Sequence, residues 1–361
     1  MRRDYLLWAL VSGLLVLTAI APGKLATYPQ LVDWPTIRTL LGLLILTRGI
    51  EASGWLSRLA VRVAQHLHTE RALALFLMVL SVALAMFLTN DVALFVVVPL
   101  TLSLGAIVNL PLRRLVIFEA IAVNCGALLT PVGNPQNIFL WQHSGVTFLT
   151  FIWQMLPLFL CCLALLGVFI GMAFKPRPIE TAAVRDAPVF DRRLLLVSLI
   201  LYLPFLVMTD LHQGVLALGL VAIVMLIAAP RILWQIDWPL MGVFVLMFID
   251  LRLLTEQAWL TQAITALDLH RPLRLFATGA LLSQGLSNVP ASILLSGYST
   301  DWRVIAWGVN VGGFGLLIGS LANLIALRIG RQRGSLLAFH AWSIPFFLAV
   351  GGAAWLWLWL T

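Results

Sequence analysis

The sequence predicts an all-α integral membrane protein of about ten transmembrane helices, arranged as two inverted repeats that each hold a re-entrant hairpin and a broken helix. Three observations carry this reading: an extreme apolar composition, apolar runs long enough to cross a bilayer, and polar interruptions that recur in the same order in both halves.

Of the 361 residues 61% are hydrophobic and 11% charged, and the mean hydropathy is +1.00. That is more apolar surface than one globular core can hide, so the bilayer is the first partner. Continuous apolar runs exclude a β-barrel, whose strands alternate. The formal charge of +8 does not point to nucleic acid, because Lys and Arg sit at the ends of apolar runs rather than on one face. Cys125, Cys161 and Cys162 lie within apolar runs without metal spacing and read as reduced packing residues.

Element by element, residues 1–31 read as an N-terminal transmembrane helix. Leu6 to Ile20 follows MRRD but precedes no A-x-A site, so it is expected to be a retained helix rather than a signal peptide. Residues 32–174 form the first repeat, with a hairpin over 71–109 and a broken helix over 114–142. The polar segment 175–193 reads as a cytoplasmic linker, 194–230 as connecting helices, and 231–361 as the second repeat, with a hairpin over 272–300 and a broken helix over 303–327. Residues 54–68 set Arg58, Arg62, His66 and His68 against Leu56, Leu59 and Val63, the pattern of an amphipathic helix on the inner surface. Arg2, Arg3, Arg48, Arg71, Arg113, Arg114, Arg328, Arg331 and Arg333 can share the cytoplasmic side with the N-terminus, whereas Arg271 and Arg274 fall outside.

The halves echo each other. Val32 to Pro35 (VDWP) returns 204 residues later as Ile236 to Pro239 (IDWP), and the same offset pairs Arg48 with Arg252 and Trp55 with Trp259. Leu88 to Asp91 (LTND) faces Leu286 to Val289 (LSNV). VNCGALLTPVGNPQNIFL from Val123 faces VNVGGFGLLIGSLANLIA from Val309, pairing Asn124 with Asn310, Gly126 with Gly312, Gly133 with Gly319, and Asn137 with Asn323.

Each interruption frees backbone groups at a depth without water, so protein or ligand must satisfy them. Thr89, Asn90 and Asp91 make one re-entrant tip; Ser287 and Asn288 make the other. Gly133 and the prolines around it unwind one helix, where Asn134 and Asn137 offer polar groups, and LIGSLAN, with Gly319, Ser320 and Asn323, is the break in the second. The half-helix after each break turns its positive end inward, which suits an anion, while Asn and Ser oxygens and freed carbonyls suit Na⁺. The expected substrate and ion site is therefore Thr89, Asn90, Asp91, Asn124, Gly133, Asn134, Asn137, Ser287, Asn288, Asn310, Gly319, Ser320 and Asn323. A Na⁺ ion would fall to Asn90, Asp91, Asn137, Asn288 and Asn323. Taken singly, a Gly or Pro is common in a membrane helix and one Asn is helix–helix glue. Four breaks paired between halves read as a site.

Asp91 is the sharpest residue, since a carboxylate at mid-membrane must be paired, protonated or bound to a cation. Glu119 is a weaker proton carrier, and Asp250 with Arg252 fits a surface pair as well as a gate. No Arg or Lys falls at any tip. There is no H-E-x-x-H, no Ser/His arrangement and no P-loop, so neither an enzyme nor a primary pump is expected.

TNDVALFVVVPL, SNVPASILL and NVGGFGLLIGSLANLIALR resemble the ion transporter superfamily, in its arsenite permease and sodium/proton antiporter branch with the related citrate-transporter-like domain. The resemblance runs from about residue 32 onward. It implies a scaffold part and a mobile part carrying two hairpins and two broken helices, often moving as an elevator within a homodimer. Ser287 and Asn288 match the Ser-Asn-Thr tip of the dicarboxylate relatives, but the third position departs at both tips. The expected function is a secondary transporter of a small inorganic or organic anion, coupled to H⁺ or Na⁺ without a cofactor, in a bacterial inner membrane. The alternative is Na⁺/H⁺ antiport with Asp91 as the exchanging carboxylate.

Overall fold

A computed structural model describes residues 5–20, 22–55, 58, 67, 69–105, 109–179 and 190–361. The first half contains α1 Tyr5–Ile20, α2 Trp34–Ala52, α3 Glu70–Phe87, α4 Asn90–Gly105, α5 Leu112–Ala127, α6 Pro135–Ser144 and α7 Phe148–Ala173. Next come α8 Arg192–Asp210, α9 Gly214–Ala228, α10 Trp238–Thr255, α11 Ala258–Thr265, α12 Pro272–Leu286, α13 Asn288–Ser296, α14 Trp302–Gly312, α15 Leu321–Gly330 and α16 Ser335–Leu360. No strand occurs among the described residues. Arg2, Arg3, residues 180–189 of the linker, and residues 56, 57, 59–66 and 68 of the expected surface helix lie outside the described set.

Among the described helices, α3, α7, α8, α10 and α16 are each long and apolar enough to cross a membrane unaided. α4, α9 and α15 are shorter apolar helices that depend on neighbours to complete a span.

The DWP motifs are helix starts. Asp33 accepts a 3.0 Å hydrogen bond from Thr36 N, and Asp237 accepts one of 3.1 Å from Leu240 N, with Pro35 and Pro239 in the first turn. Asp191, Asp301 and Thr69 cap α8, α14 and α3 in the same way. Breaks separate α3 from α4 and α12 from α13, at the sites of the expected tips, and α5 from α6 and α14 from α15.

Packing follows one plan in both halves. Within each half the first hairpin arm lies on the first arm of the broken helix, α3 on α5 and α12 on α14. Between halves the partners are exchanged: α4 packs on α15, and α13 on α6. The helix that precedes each half packs on the opening helix of the other, α1 on α10 and α9 on α2. At the centre, every residue of Leu115–Ala127 and of Val304–Gly312 is buried. Each of these two stretches carries one asparagine of the site, Asn124 and Asn310.

Candidate functional site

Both broken helices meet in a clasp of buried polar side chains in which three bonds have counterparts 186 residues away. Asn124 Nδ2 donates to Asn323 Oδ1 at 2.9 Å, and Asn310 Nδ2 donates to Asn137 Oδ1 at 2.8 Å. Ser320 Oγ donates to Asn124 Oδ1 at 3.1 Å, and Asn134 Nδ2 donates to Asn310 Oδ1 at 3.0 Å. Asn323 Nδ2 reaches the carbonyl of Gly313 at 2.9 Å, and Asn137 Nδ2 reaches that of Ala127 at 3.2 Å. All six side chains are buried. The last two bonds satisfy carbonyls that the end of each first arm would otherwise leave open, as a buried helix end requires.

Local sequence shapes each break. Asn134 also accepts a 3.0 Å bond from Asn137 N, capping α6, whereas Ser320 spends its hydroxyl on Asn124 and caps nothing. A β-carbon on Gly133 would stand 2.3 Å from the carbonyl oxygen of Ala127, and one on Gly319 2.5 Å from that of Gly312. Glycine is required at both because the chain folds back onto the arm it has just left.

The hairpin tips dock unequally. Asn90 N donates to the carbonyl of Gly133 at 2.8 Å, tying the first tip to the first break, and its own Oδ1 accepts from Asp91 N at 2.9 Å. Thr89, Asn90 and Asn288 are buried. Ser287 holds φ 73° and ψ 156°, a region that is nearly glycine's alone.

Asp91 faces a cavity of about 480 Å³ rather than the clasp. Arg48 and Glu51 of α2, Gln235 and Asp237 before α10, and Arg328 of α15 line it, with Phe95, Leu240 and Leu321 among the apolar walls. Asp91 Oδ1 is buried and unbonded among the described residues, and so is Gln136 Oε1 beside the clasp. Arg48 pairs with Glu51 on its own helix at 2.7 Å. No Arg or Lys falls within the tips themselves, but Arg48 and Arg328 line the same cavity as Asp91. Sequence spacing alone left these arginines as topology markers; the recurrence of Arg48 as Arg252 was the available signal.

Other charges separate from this cavity. Glu119 is fully buried between α4 and α5, accepts a hydrogen bond from Thr101, and does not line the cavity. Asp250 and Arg252 do not pair with each other: Arg252 Nη2 lies 3.6 Å from Asp33 Oδ2, while Asp250 faces Gly13 of α1. The three cysteines are free, with Cys125 and Cys162 buried.

The family model described as a citrate transporter matches residues 5–301. The chain belongs to the citrate transporter family. Over 332 residues, 92% of this chain and 89% of the relative, it is 42% identical to the inner membrane protein YbiR of Escherichia coli strain K12. Over 319 residues, 88% of this chain and 86% of the relative, it is 31% identical to a Methanocaldococcus jannaschii protein described as the uncharacterized transporter MJ0456. A Mycobacterium tuberculosis protein described as the uncharacterized transporter Rv2684 is 25% identical over 346 residues, 85% of this chain and 81% of its own. This citrate transporter family member is an integral membrane transporter and not an enzyme.

Proposed function

We infer that this transporter moves a small inorganic or organic anion, coupled to H⁺ or Na⁺, across a bacterial cytoplasmic membrane. The observation that carries the reading is one cavity lined by Asp91, whose buried carboxylate oxygen is unbonded among the described residues, together with Arg48 and Arg328. A cation at Asp91 and an anion held by the arginines would offset each other's desolvation, which neither does alone. The asparagines of the clasp hold their side-chain groups for one another, which favours a supporting role for them over direct grip on the substrate.

With the N-terminus in the cytoplasm, the positions of Arg48 and Arg328 favour a cytoplasmic cavity, an inward-facing arrangement. The clasped helices and docked hairpin tips suit a unit that moves as one body, as in elevator transport within a homodimer. The arsenite permease side of the superfamily remains the favoured comparison for substrate, because Asp91 stands at the third position of the Ser-Asn-Thr tip.

The test is gradient-driven uptake in proteoliposomes, screened over inorganic oxyanions and carboxylates under imposed pH or Na⁺ gradients. Asp91→Asn is expected to reduce gradient-driven uptake to the level of protein-free liposomes; full activity in that variant refutes coupling at Asp91. Na⁺/H⁺ antiport is the second reading, favoured by the unbonded Asp91 oxygen. It requires a Na⁺-induced change of lumenal pH with no anion added.

A further inference from the structure

A second cavity, of about 620 Å³, opens between the start of α5 and the turn that joins α15 to α16. Arg113 and Arg114 line it from the first half and Arg331 and Arg333 from the second, with Gln332 and Trp342 beside them. No carboxylate lines it, and none of the four arginines makes an ion pair among the described residues. Backbone holds two of them instead: Arg114 donates to the carbonyl of Ala173 and lies over the Phe174 ring, and Arg113 Nη1 donates to the carbonyl of Arg333 at 3.4 Å.

The corresponding end of the other half is built differently. At the offset of 186 the four arginines become Ser299, Thr300, Gly145 and Thr147. α14 and α7, the counterparts of α5 and α16, open on Asp301 and Thr147, whose side chains accept from Val304 N at 3.1 Å and Thr150 N at 3.2 Å. α5 and α16 open on Pro111 and Gly334, with no side-chain cap and no acidic residue in the first turn. Gly145 ends α6 at φ 69°, and Arg331 ends α15 at φ 47°, in the left-handed region that favours glycine. The positive-inside rule asks only that arginines lie on this side of the membrane. It does not ask that they converge, that helix ends between them stay uncapped, or that one of them take a glycine's place.

We propose that this cavity binds the phosphate headgroup of an anionic phospholipid. An arginine fork pairs with two oxygens of a phosphate at once, and the uncapped N-termini of α5 and α16 add N–H donors and positive dipole ends. Four guanidinium groups without a carboxylate repel one another, and a bound phosphate removes that cost. A basic pocket between membrane helices on the arginine-rich side is the form that phospholipid headgroup sites take. The rim favours a lipid over a soluble phosphate, because Leu336 and Leu337, in the first turn of α16, are 54% and 81% exposed and offer acyl chains an apolar surface. Arg113 and Arg114 stand at the start of the first broken helix, and Arg331 and Arg333 follow the second, so one headgroup joins the two halves outside the clasp.

The site goes beyond the transport reading and is tested without transport. Full-length protein, delipidated in a non-ionic detergent, is titrated separately with phosphatidylglycerol, zwitterionic phosphatidylcholine and inorganic phosphate. Native mass spectrometry reads lipid retention, and the thermal unfolding midpoint reads stabilisation by mass action. Phosphatidylglycerol is expected to stay bound and raise the midpoint, and the other two to do neither. Arg113→Gln with Arg333→Gln should weaken retention about fivefold per arginine removed, the scale of one basic residue at an anionic membrane surface. Arg114 stays in place because it packs on Phe174. Arg331→Gly should also weaken retention about fivefold, yet raise the midpoint of the lipid-free protein, since glycine relieves the left-handed backbone. Arg271→Gln with Arg274→Gln removes two exposed arginines paired to Asp268 and should leave retention unchanged. Equal retention by the cavity variants and the unaltered protein overturns the site. So does an Arg331→Gly variant that loses stability without lipid, because that arginine is then structural. A midpoint raised as far by inorganic phosphate as by phosphatidylglycerol assigns the cavity to a soluble phosphate and overturns the lipid.

Discussion

Asn323 shows what one side chain does in this molecule. Its oxygen accepts from Asn124 and its nitrogen donates to the Gly313 carbonyl, joining the two halves and closing a helix end in one residue. Removing it leaves a buried amide and a buried carbonyl without partners, at a cost of roughly 1–3 kcal/mol for each group left unsatisfied. Asn323→Ala is expected to lower the thermal unfolding midpoint clearly, and the Asn124→Ala, Asn323→Ala double variant to lose less than the sum of the singles. Strict additivity would falsify the clasp as a coupled unit. Ser287 carries the opposite kind of effect. Its backbone strain of about 1–3 kcal/mol outweighs the ~0.5–1 kcal/mol entropy penalty of glycine. Ser287→Gly is therefore expected to raise the unfolding midpoint, and a fall would show that the tip is not strained in the folded protein.

At the scale of elements, matched glycines set how closely helices approach. A β-carbon on Gly126 would stand 2.2 Å from the Val82 carbonyl oxygen of α3, and one on Gly312 would stand 2.7 Å from that of Ala280 in α12. Val82 and Ala280 are themselves counterparts, so the same contact is built twice. Gly126→Ala must push α3 off α5, an overpacking cost of about 1–3 kcal/mol. Gly219 of α9 has nothing within 4 Å of its virtual β-carbon. Gly219→Ala should therefore be neutral or stabilising by up to about 1 kcal/mol. Parallel thermal unfolding of the two variants in detergent checks the contrast, and equal losses would remove the close-approach argument.

Across the whole molecule, charge and aromatic residues sort by position. Trp34 and Trp238 flank the two capping aspartates, Trp55 and Trp259 recur at the same spacing, and all four are exposed, as tryptophans at a membrane interface would be. α7, α8, α9 and α16 turn large apolar side chains outward, including Trp153, Ile200, Ile227 and Leu348; α7 and α16 pack on the broken-helix arms α5 and α14, and α8 and α9 pack on α2.

The sequence by itself determined the membrane class, the places where the helices break, and the correspondence of Asn124 with Asn310 and of Asn137 with Asn323 between the halves. These were legible because hydrophobic runs, helix breakers and buried amides leave local, countable marks. The equivalence of Asn134 with Ser320 was not legible, since an amide and a hydroxyl look unrelated until each is seen donating to the other half's asparagine. Nor could spacing show that Arg48 and Arg328 face Asp91, or that Arg252 meets Asp33 instead of Asp250. An arginine at the end of an apolar run satisfies the topology rule wherever it points, and only the antiparallel packing of α2 against α10 and of α4 against α15 decides which carboxylate it faces.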